Sequence, residues 1–389
     1  MITLITNVGQ LVSPSGRGAV FGGAMARVEA LDRVQLVLKD GRIESIGSSL
    51  DVAKPDVTLD AAGRVVIPAF VDPHRHAGFP LVPGGAASAG ESDDSGSRPP
   101  SNLERNLRRG CRRAVADGVA TLEVKCTQDG TASEATTCLG MTSQVANDGP
   151  IRLVRTLLLA ATEERGTARD DRISDLIGRV IPTARRRRSA TFCDVACGAG
   201  AYTVREADAI LRAARSAGLA PKIHALGTET DEAALLAASI GATSVDHVQT
   251  LGARASRELR RAGAVCVLLP GRAALSGEAC PDARKMVQAG LAVALGTDHG
   301  FAGRGLESMW MAFAWAIQRM GMSVEEALTA CTLNAAAALG LGDVTGSAEV
   351  GKSADLAILD IERFSDVSGV FGVPPVVQTI VGGRPAAVS

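Results

Sequence analysis

Short apolar runs recur along the middle of the chain, at residues 69–71, 120–125, 151–159, 190–195, 221–223, 243–245, 264–269 and 292–297. Each has the length and composition of a buried strand. Between them lie segments with helical spacing of apolar residues, such as "SNLERNLRRGCRRAVADG", "TVREADAILRAARSAG", "TDEAALLAASIG", "ASRELRRAG" and "PDARKMVQAG". Several of these end in glycine, the usual helix stop. Eight strands, each followed by a helical stretch, predict a closed (β/α)8 TIM barrel. An open doubly wound sheet is the alternative, but no glycine-rich phosphate turn follows the first strand.

The two ends of the chain follow a different pattern. "VQLVLKDGRIESIGSS" carries the Asp-Gly signal of a hairpin at Asp40 and Gly41. "KSADLAILDIE" and "VVQTIVGGRPAAV" are strand-like, with a tight turn at Gly382 and Gly383. Both ends therefore read as β-rich. Residues 81–101, "LVPGGAASAGESDDSGSRPPS", have no periodicity and read as a long loop after the first strand. Such a loop starts at the mouth of a barrel site, which makes it a candidate lid, and Asp93 and Asp94 would suit a positively charged or hydrogen-bond-donating substrate; a plain surface insertion is the alternative.

Composition narrows the class of function. The 389 residues are 46% hydrophobic and 21% charged, ordinary for a protein with a real core, and the formal net charge is −1. That balance gives no reason to expect nucleic acid or an anionic membrane as partner. The run Arg185 to Arg188 closes a helix-like stretch, where positive charge suits the helix dipole and solvent. Eight cysteines without a CxxC pair read as reduced thiols, Cys193 and Cys197 being the nearest neighbours in sequence. No signal peptide or membrane-length apolar run is evident, so the expected location is the cytoplasm.

The chemistry lies in "FVDPHRHAGFP". Side chains two apart on a strand share a face, so His74 and His76 can grip one ion. The chain has five histidines. The others are His224 after strand five, His247 beside Asp246 after strand six, and His299 beside Asp298 after strand eight. All five thus fall at the C-terminal end of the expected barrel, where such folds carry their active sites. Three imidazoles and a carboxylate suit Zn2+ with a water completing the site. Asp298 would touch both ion and water and shuttle a proton to a leaving nitrogen, while His247 would steady the developing oxyanion or relay a proton. Lys125 ends strand two and is expected in an ion pair or in contact with substrate. Arg75 and His299 are further candidate substrate contacts. A second metal would need a bridging carboxylated lysine or glutamate. "TFCDVAC" offers only Asp194 and two thiols, so one ion per chain is expected.

"VIPAFVDPHRH", the histidines after strands five and six and "GTDHG" resemble the amidohydrolase superfamily across nearly the whole chain. "TLEVK", "FCDV", "PKIHA", "GATSVDHV" and "ARKMVQAGLAVALGTD" resemble imidazolonepropionase, the ring-opening hydrolase of histidine degradation, in particular. The resemblance implies a small β-sandwich built from residues 1–67 and 345–389 beside a barrel of residues 68–344. It also implies one zinc, with iron or manganese as alternatives, held by His74, His76, His224 and Asp298, with His247 near the reacting carbonyl. The chain departs from the family where the substrate is held. Gly227 stands where a glutamate or glutamine is usual, Cys126-Thr127-Gln128-Asp129 replaces Ser-Gly-Tyr-Gly, and Thr162 or Glu163 replaces a histidine. His299-Gly300-Phe301 replaces Asn-Pro-Gly. The expectation is therefore C–N hydrolysis of an amide or amidine on a different substrate, such as a tailoring step of specialised metabolism on a small molecule or modified peptide. Imidazolonepropionase itself and a non-catalytic binding protein are the alternatives. A homodimer is compatible with the sequence.

Overall fold

The computed structural model describes residues 1–52, 54–77, 100–128, 132–149, 151–160, 166–198, 200–227, 230–277, 279–300, 306–369 and 372–386. Its strands form two sheets. The first unites both chain ends: β1 (Ile2–Pro14), β2 (Val28–Lys39), β3 (Arg42–Gly47), β4 (Val57–Asp60) and β5 (Val65–Pro68). It is completed by three strands from the end of the chain, β14 (Leu356–Leu359), β15 (Val376–Val381) and β16 (Arg384–Pro385). The order is β16-β15-β14-β5-β1-β2-β3, with β4 added in parallel to β1. Asp40 and Gly41 join β2 to β3 with φ of 50° and 82°, the left-handed pair a two-residue hairpin requires. Gly382 and Gly383 repeat the device between β15 and β16.

The second sheet holds eight parallel strands in sequence order: β6 (Phe70–Asp72), β7 (Val119–Gln128), β8 (Arg152–Leu159), β9 (Phe192–Gly198), β10 (Ala220–Leu226), β11 (Ser244–Asp246), β12 (Val265–Leu268) and β13 (Ala292–Leu295). It curls into a nearly closed TIM barrel. The seam between last and first strands is stitched beyond their ends, where Asp298 N–H donates to His74 O (3.0 Å) and His76 N–H to His299 O (2.9 Å). Gly296 makes this approach possible, because a Cβ there would lie 3.0 Å from His74 Cβ. The barrel is thus closed by the residues that carry the chemistry.

Why the strands joining the two sheets read as unbroken apolar runs is now clear. On β5, Val66 enters the sandwich core with Ile5, Leu36 and Ile43, while Val65 and Ile67 enter the main core. On β14, Leu356 and Ile358 face the sandwich, and Ala357 and Leu359 the barrel side. Both faces are buried, so alternation vanishes. Helices follow their sequence signals as well. Thr203 and Glu206 form a capping box before helix Val204–Ser216, worth about 1 kcal/mol. Its Ala207, Ile210, Leu211 and Ala214 supply the buried stripe. The floor of the barrel is filled by Val71, Val154, Phe192, Val267 and Ala294 against Ala335, Ala336 and Leu339 near the helix Leu333–Ala337.

Three expectations need correction. Lys125 does not end its strand, since β7 continues to Gln128. Cys126 and Cys138 are joined by a disulfide that ties β7 to the helix Ala132–Asp148, so the cysteines are not all reduced. Sequence spacing could not reveal this pair, because only the packing of that helix on β7 brings the two together. Cys193 and Cys197 are free and buried, and burial pushes their thiols above the ordinary range. The expected loop is also shorter at its end: Pro100 already opens the helix Pro100–Ala116. Residues 81–99, with Asp93 and Asp94, lie outside the described residues, as do Thr162 and Glu163. Arg185 to Arg188 are exposed at the end of helix Ile181–Arg186, as their charge requires.

Candidate metal centre

The site begins with Asp72. Its buried Oδ1 accepts from the backbone N–H of His74 (3.3 Å) and of Thr297 (3.1 Å), and its Oδ2 accepts from Thr297 Oγ1 (2.6 Å). One carboxylate therefore fastens the end of strand one to the segment after strand eight, and sets His74 and Asp298 beside each other. Asp72 stands in "FVDPHRHAGFP" beside the histidines, but its sequence neighbours give no sign of this role. The signal was an acidic residue inside an apolar run, and its partner sits 225 residues away.

Four imidazoles converge at this end of the barrel. The ring centroids of His74 lie 5.4 Å from His76, 4.6 Å from His224 and 4.9 Å from His247, and His224 lies 4.6 Å from His247. Asp298 Oδ1 sits 3.5 Å from His74 Nε2 and 3.3 Å from His76 Nε2. Two sets with mutually close donor atoms result: His74, His76 and His224, and His74, His247 and Asp298. His74 Nε2 and Asp298 Oδ1 are buried without a hydrogen-bond partner among the described residues. A buried polar atom left so demands an explanation, and a divalent cation shared by both supplies one. His247 and Asp298 both hold left-handed backbone, with φ of 65° and 53°. Strain of this kind collects where side chains must be aimed.

The other nitrogen of two of these rings is fixed from below. His74 Nδ1 donates to Asp246 Oδ2 (2.7 Å) and His224 Nδ1 to Asp194 Oδ2 (2.8 Å). A carboxylate on Nδ1 leaves Nε2 as the free lone pair, the usual support of a metal-binding histidine. Asp246 does not pair with its neighbour His247; its Oδ1 instead accepts from Ser244 Oγ (2.6 Å).

Below lies a layer of wholly buried charge. Lys125 Nζ contacts Asp194 Oδ2 (2.6 Å), Asp246 Oδ2 (2.9 Å) and Glu123 Oε2 (3.2 Å). Lys222 Nζ donates to Glu123 Oε2 (2.7 Å), and Thr156 Oγ1 to Glu123 Oε1 (2.5 Å). Glu123 and Lys222 went unremarked in the sequence, because alternation on β7 and β10 shows only that they share a face with Lys125 and His224. Burial alone would lower the Lys125 pKa, but Asp194, Asp246 and Glu123 outweigh it and hold it well above the ordinary value. Burial likewise pushes His247 down to about 3, so its imidazole is neutral near pH 7.

The expected substrate contacts fare unevenly. Lys125 takes the ion-pair role of its two alternatives. Arg75, between His74 and His76, points to the opposite face. Its guanidinium packs on Gly110, where a Cβ would lie 2.8 Å from Nη2, and approaches Glu307 at 3.7 Å. His299 Nε2 lies 3.9 Å from the same Glu307 oxygen, and Arg113 Nη1 pairs with Glu307 Oε2 at 2.7 Å. These contacts place Arg75 in an ionic cluster between barrel and helix Pro100–Ala116.

The family model described as "Amidohydrolase family" matches residues 65–386, and the chain belongs to that family. Within it the chain is imidazolonepropionase-like. It is 33% identical to an imidazolonepropionase of Porphyromonas gingivalis (strain ATCC BAA-308 / W83), over 98% of this chain and 96% of the relative. It is 32% identical to one of Syntrophobacter fumaroxidans, over 97% and 95%. Among solved structures it resembles an atrazine chlorohydrolase of Arthrobacter aurescens TC1 complexed with zinc and atraton, with TM-score 0.78 at 16% identity over 98% and 94% of the two chains. A Xaa-Pro dipeptidase gives TM-score 0.74 at 19% identity over 99% of each chain. The latter two likenesses carry the fold. The family and its curated relatives make this chain a hydrolase of carbon–nitrogen bonds. No helix among the described residues is long and apolar enough to cross a membrane.

Proposed function

We propose that the chain is a mononuclear metal-dependent hydrolase that opens the C–N bond of a cyclic amide or amidine, with imidazolonepropionate as its first candidate substrate. The observation that carries this reading is the approach of His74 Nε2 to Asp298 Oδ1, both buried and unsatisfied, within a ring of three further imidazoles. In this reading His74, His76, His224 and Asp298 hold one zinc ion, which when bound polarises the scissile bond and lowers the pKa of a water toward neutrality. Asp298 takes the proton of the attacking water and delivers it to the leaving nitrogen. Neutral His247 donates a hydrogen bond to the oxygen on which negative charge develops. Asp72, Asp194 and Asp246 keep these groups in place.

The named relatives support imidazolonepropionate as substrate. A second reading is the same hydrolysis on a different small molecule or modified peptide, such as a tailoring step of specialised metabolism. It is favoured by the fate of Arg75 and Lys125, two cations near the site that are both engaged in ion pairs. A ring-opening assay with zinc-reconstituted protein separates the two. Turnover that vanishes on chelation and returns with zinc supports the first, whereas a zinc-loaded protein without turnover supports the second.

A further inference from the structure

Asp194 Oδ2 and Asp246 Oδ2 each serve two partners. One accepts from His224 Nδ1 and the other from His74 Nδ1, while both contact the single ammonium of Lys125 at 2.6 and 2.9 Å. Asp194, His224 and Asp246 bring their donor atoms within 4.8 Å of one another, a grouping able to hold a cation. Lys125 Nζ is already there, fully buried. Lys222 cannot take its place, because its Nζ is committed to Glu123 at 2.7 Å and stays 4.0 Å from Asp246.

Five strands meet through this one nitrogen. The carboxylates come from β9 and β11, the rings they orient from the end of β6 and from β10, and the lysine from β7. Without the ammonium, two buried carboxylates face each other unshielded, and they must turn aside or take up protons. Either response alters the acceptor that each imidazole N–H needs.

We propose that Lys125 is a positioning residue: its ammonium holds Asp194 and Asp246 against the Nδ1 atoms of His224 and His74, and so aims both rings at the metal. This rests on the metal-centre reading above. It gives Lys125 a role in neither substrate binding nor proton transfer.

The test is zinc affinity, measured on the full chain by competition with a chromophoric chelator, together with the visible spectrum of the cobalt-substituted protein. Lys125→Met keeps the bulk and removes the charge; Asp194→Asn keeps the shape and leaves Lys125 its other two carboxylates. Each is expected to weaken zinc ~10–100-fold, the usual cost of losing such outer support, and to shift the cobalt bands. The double variant should lose less than the two single losses combined, since both break one chain of contacts. A purely structural lysine would lower the melting temperature while leaving affinity and spectrum of the folded protein as in wild type. That result for Lys125→Met overturns the proposal, and should that variant fail to fold, unchanged affinity in Asp194→Asn overturns it equally. Wild-type protein that binds no zinc would instead overturn the metal-centre reading.

Discussion

At residue scale, two aspartates with different neighbours do different work. Asp298 faces the imidazoles of His74 and His76, and its position suits both ligation and proton transfer. Asp298→Asn, reloaded with zinc, should lose ~10²–10⁴-fold in kcat from the missing acid–base step. Near-normal turnover in the fully metallated variant would remove that role. Asp72 works through the backbone instead: it accepts one hydrogen bond from His74 N–H in its own segment and two from Thr297 across the seam of the barrel. Asp72→Ala strands those donors in a dry place, at a cost on the order of 2–4 kcal/mol. Urea unfolding checks this, and a loss below about 0.5 kcal/mol would mean that the seam closes without it.

At the scale of elements, the sequence announced the strands more clearly than their partners. All eight barrel strands were legible, because runs such as "TLEVK" and "AVALGT" are too short for helices and are bounded by polar or glycine punctuation. The five histidines were legible for the same reason: four follow a strand, and His224 lies near the end of β10. What stayed hidden depends on faces turned toward each other across the barrel. Lys125 showed itself as a lysine near a strand end, with Glu123 on the same strand and face, but Asp194 and Asp246 lie on two other strands, and nothing in the order of residues pairs them with it. The approach of Arg75 to Glu307 was hidden in the same way, since the two are far apart in sequence. Contacts between elements also carry a pH dependence. Asp117 accepts from Ser308 Oγ and Met309 N–H and so caps the helix Met309–Met320 from outside it. Burial raises its pKa to about 7. The folded state therefore binds this proton more tightly than the unfolded chain does. The resulting stability is present below the ordinary carboxylate pKa and is lost as pH rises toward about 7. Asp117→Asn does not titrate, so the stability of wild type relative to this variant should fall by about 2–3 kcal/mol between about pH 5 and about pH 8. Denaturant midpoints at the two pH values measure it, and a constant difference would show that the capping donors fully offset burial.

At the scale of the whole molecule, the barrel is layered along its axis. An apolar floor of Phe192, Val267 and Ala336 supports a charged middle layer of Glu123, Lys125, Asp194, Lys222 and Asp246, and this in turn supports the imidazoles. Three carboxylates against two ammonium groups leave the middle layer one charge negative, a favourable bed for a dication. The sandwich of the chain ends shares β5 and β14 with the main core, so the two cores are joined through these strands. The account stands on one divalent ion bound by these particular side chains. Equilibrium dialysis of chelator-stripped protein against zinc tests this most directly, with wild type compared to a His74→Ala/His224→Ala variant. The expected result is about one tightly held ion per wild-type chain and none in the variant. Equal binding by both proteins, or none by wild type, would contradict it.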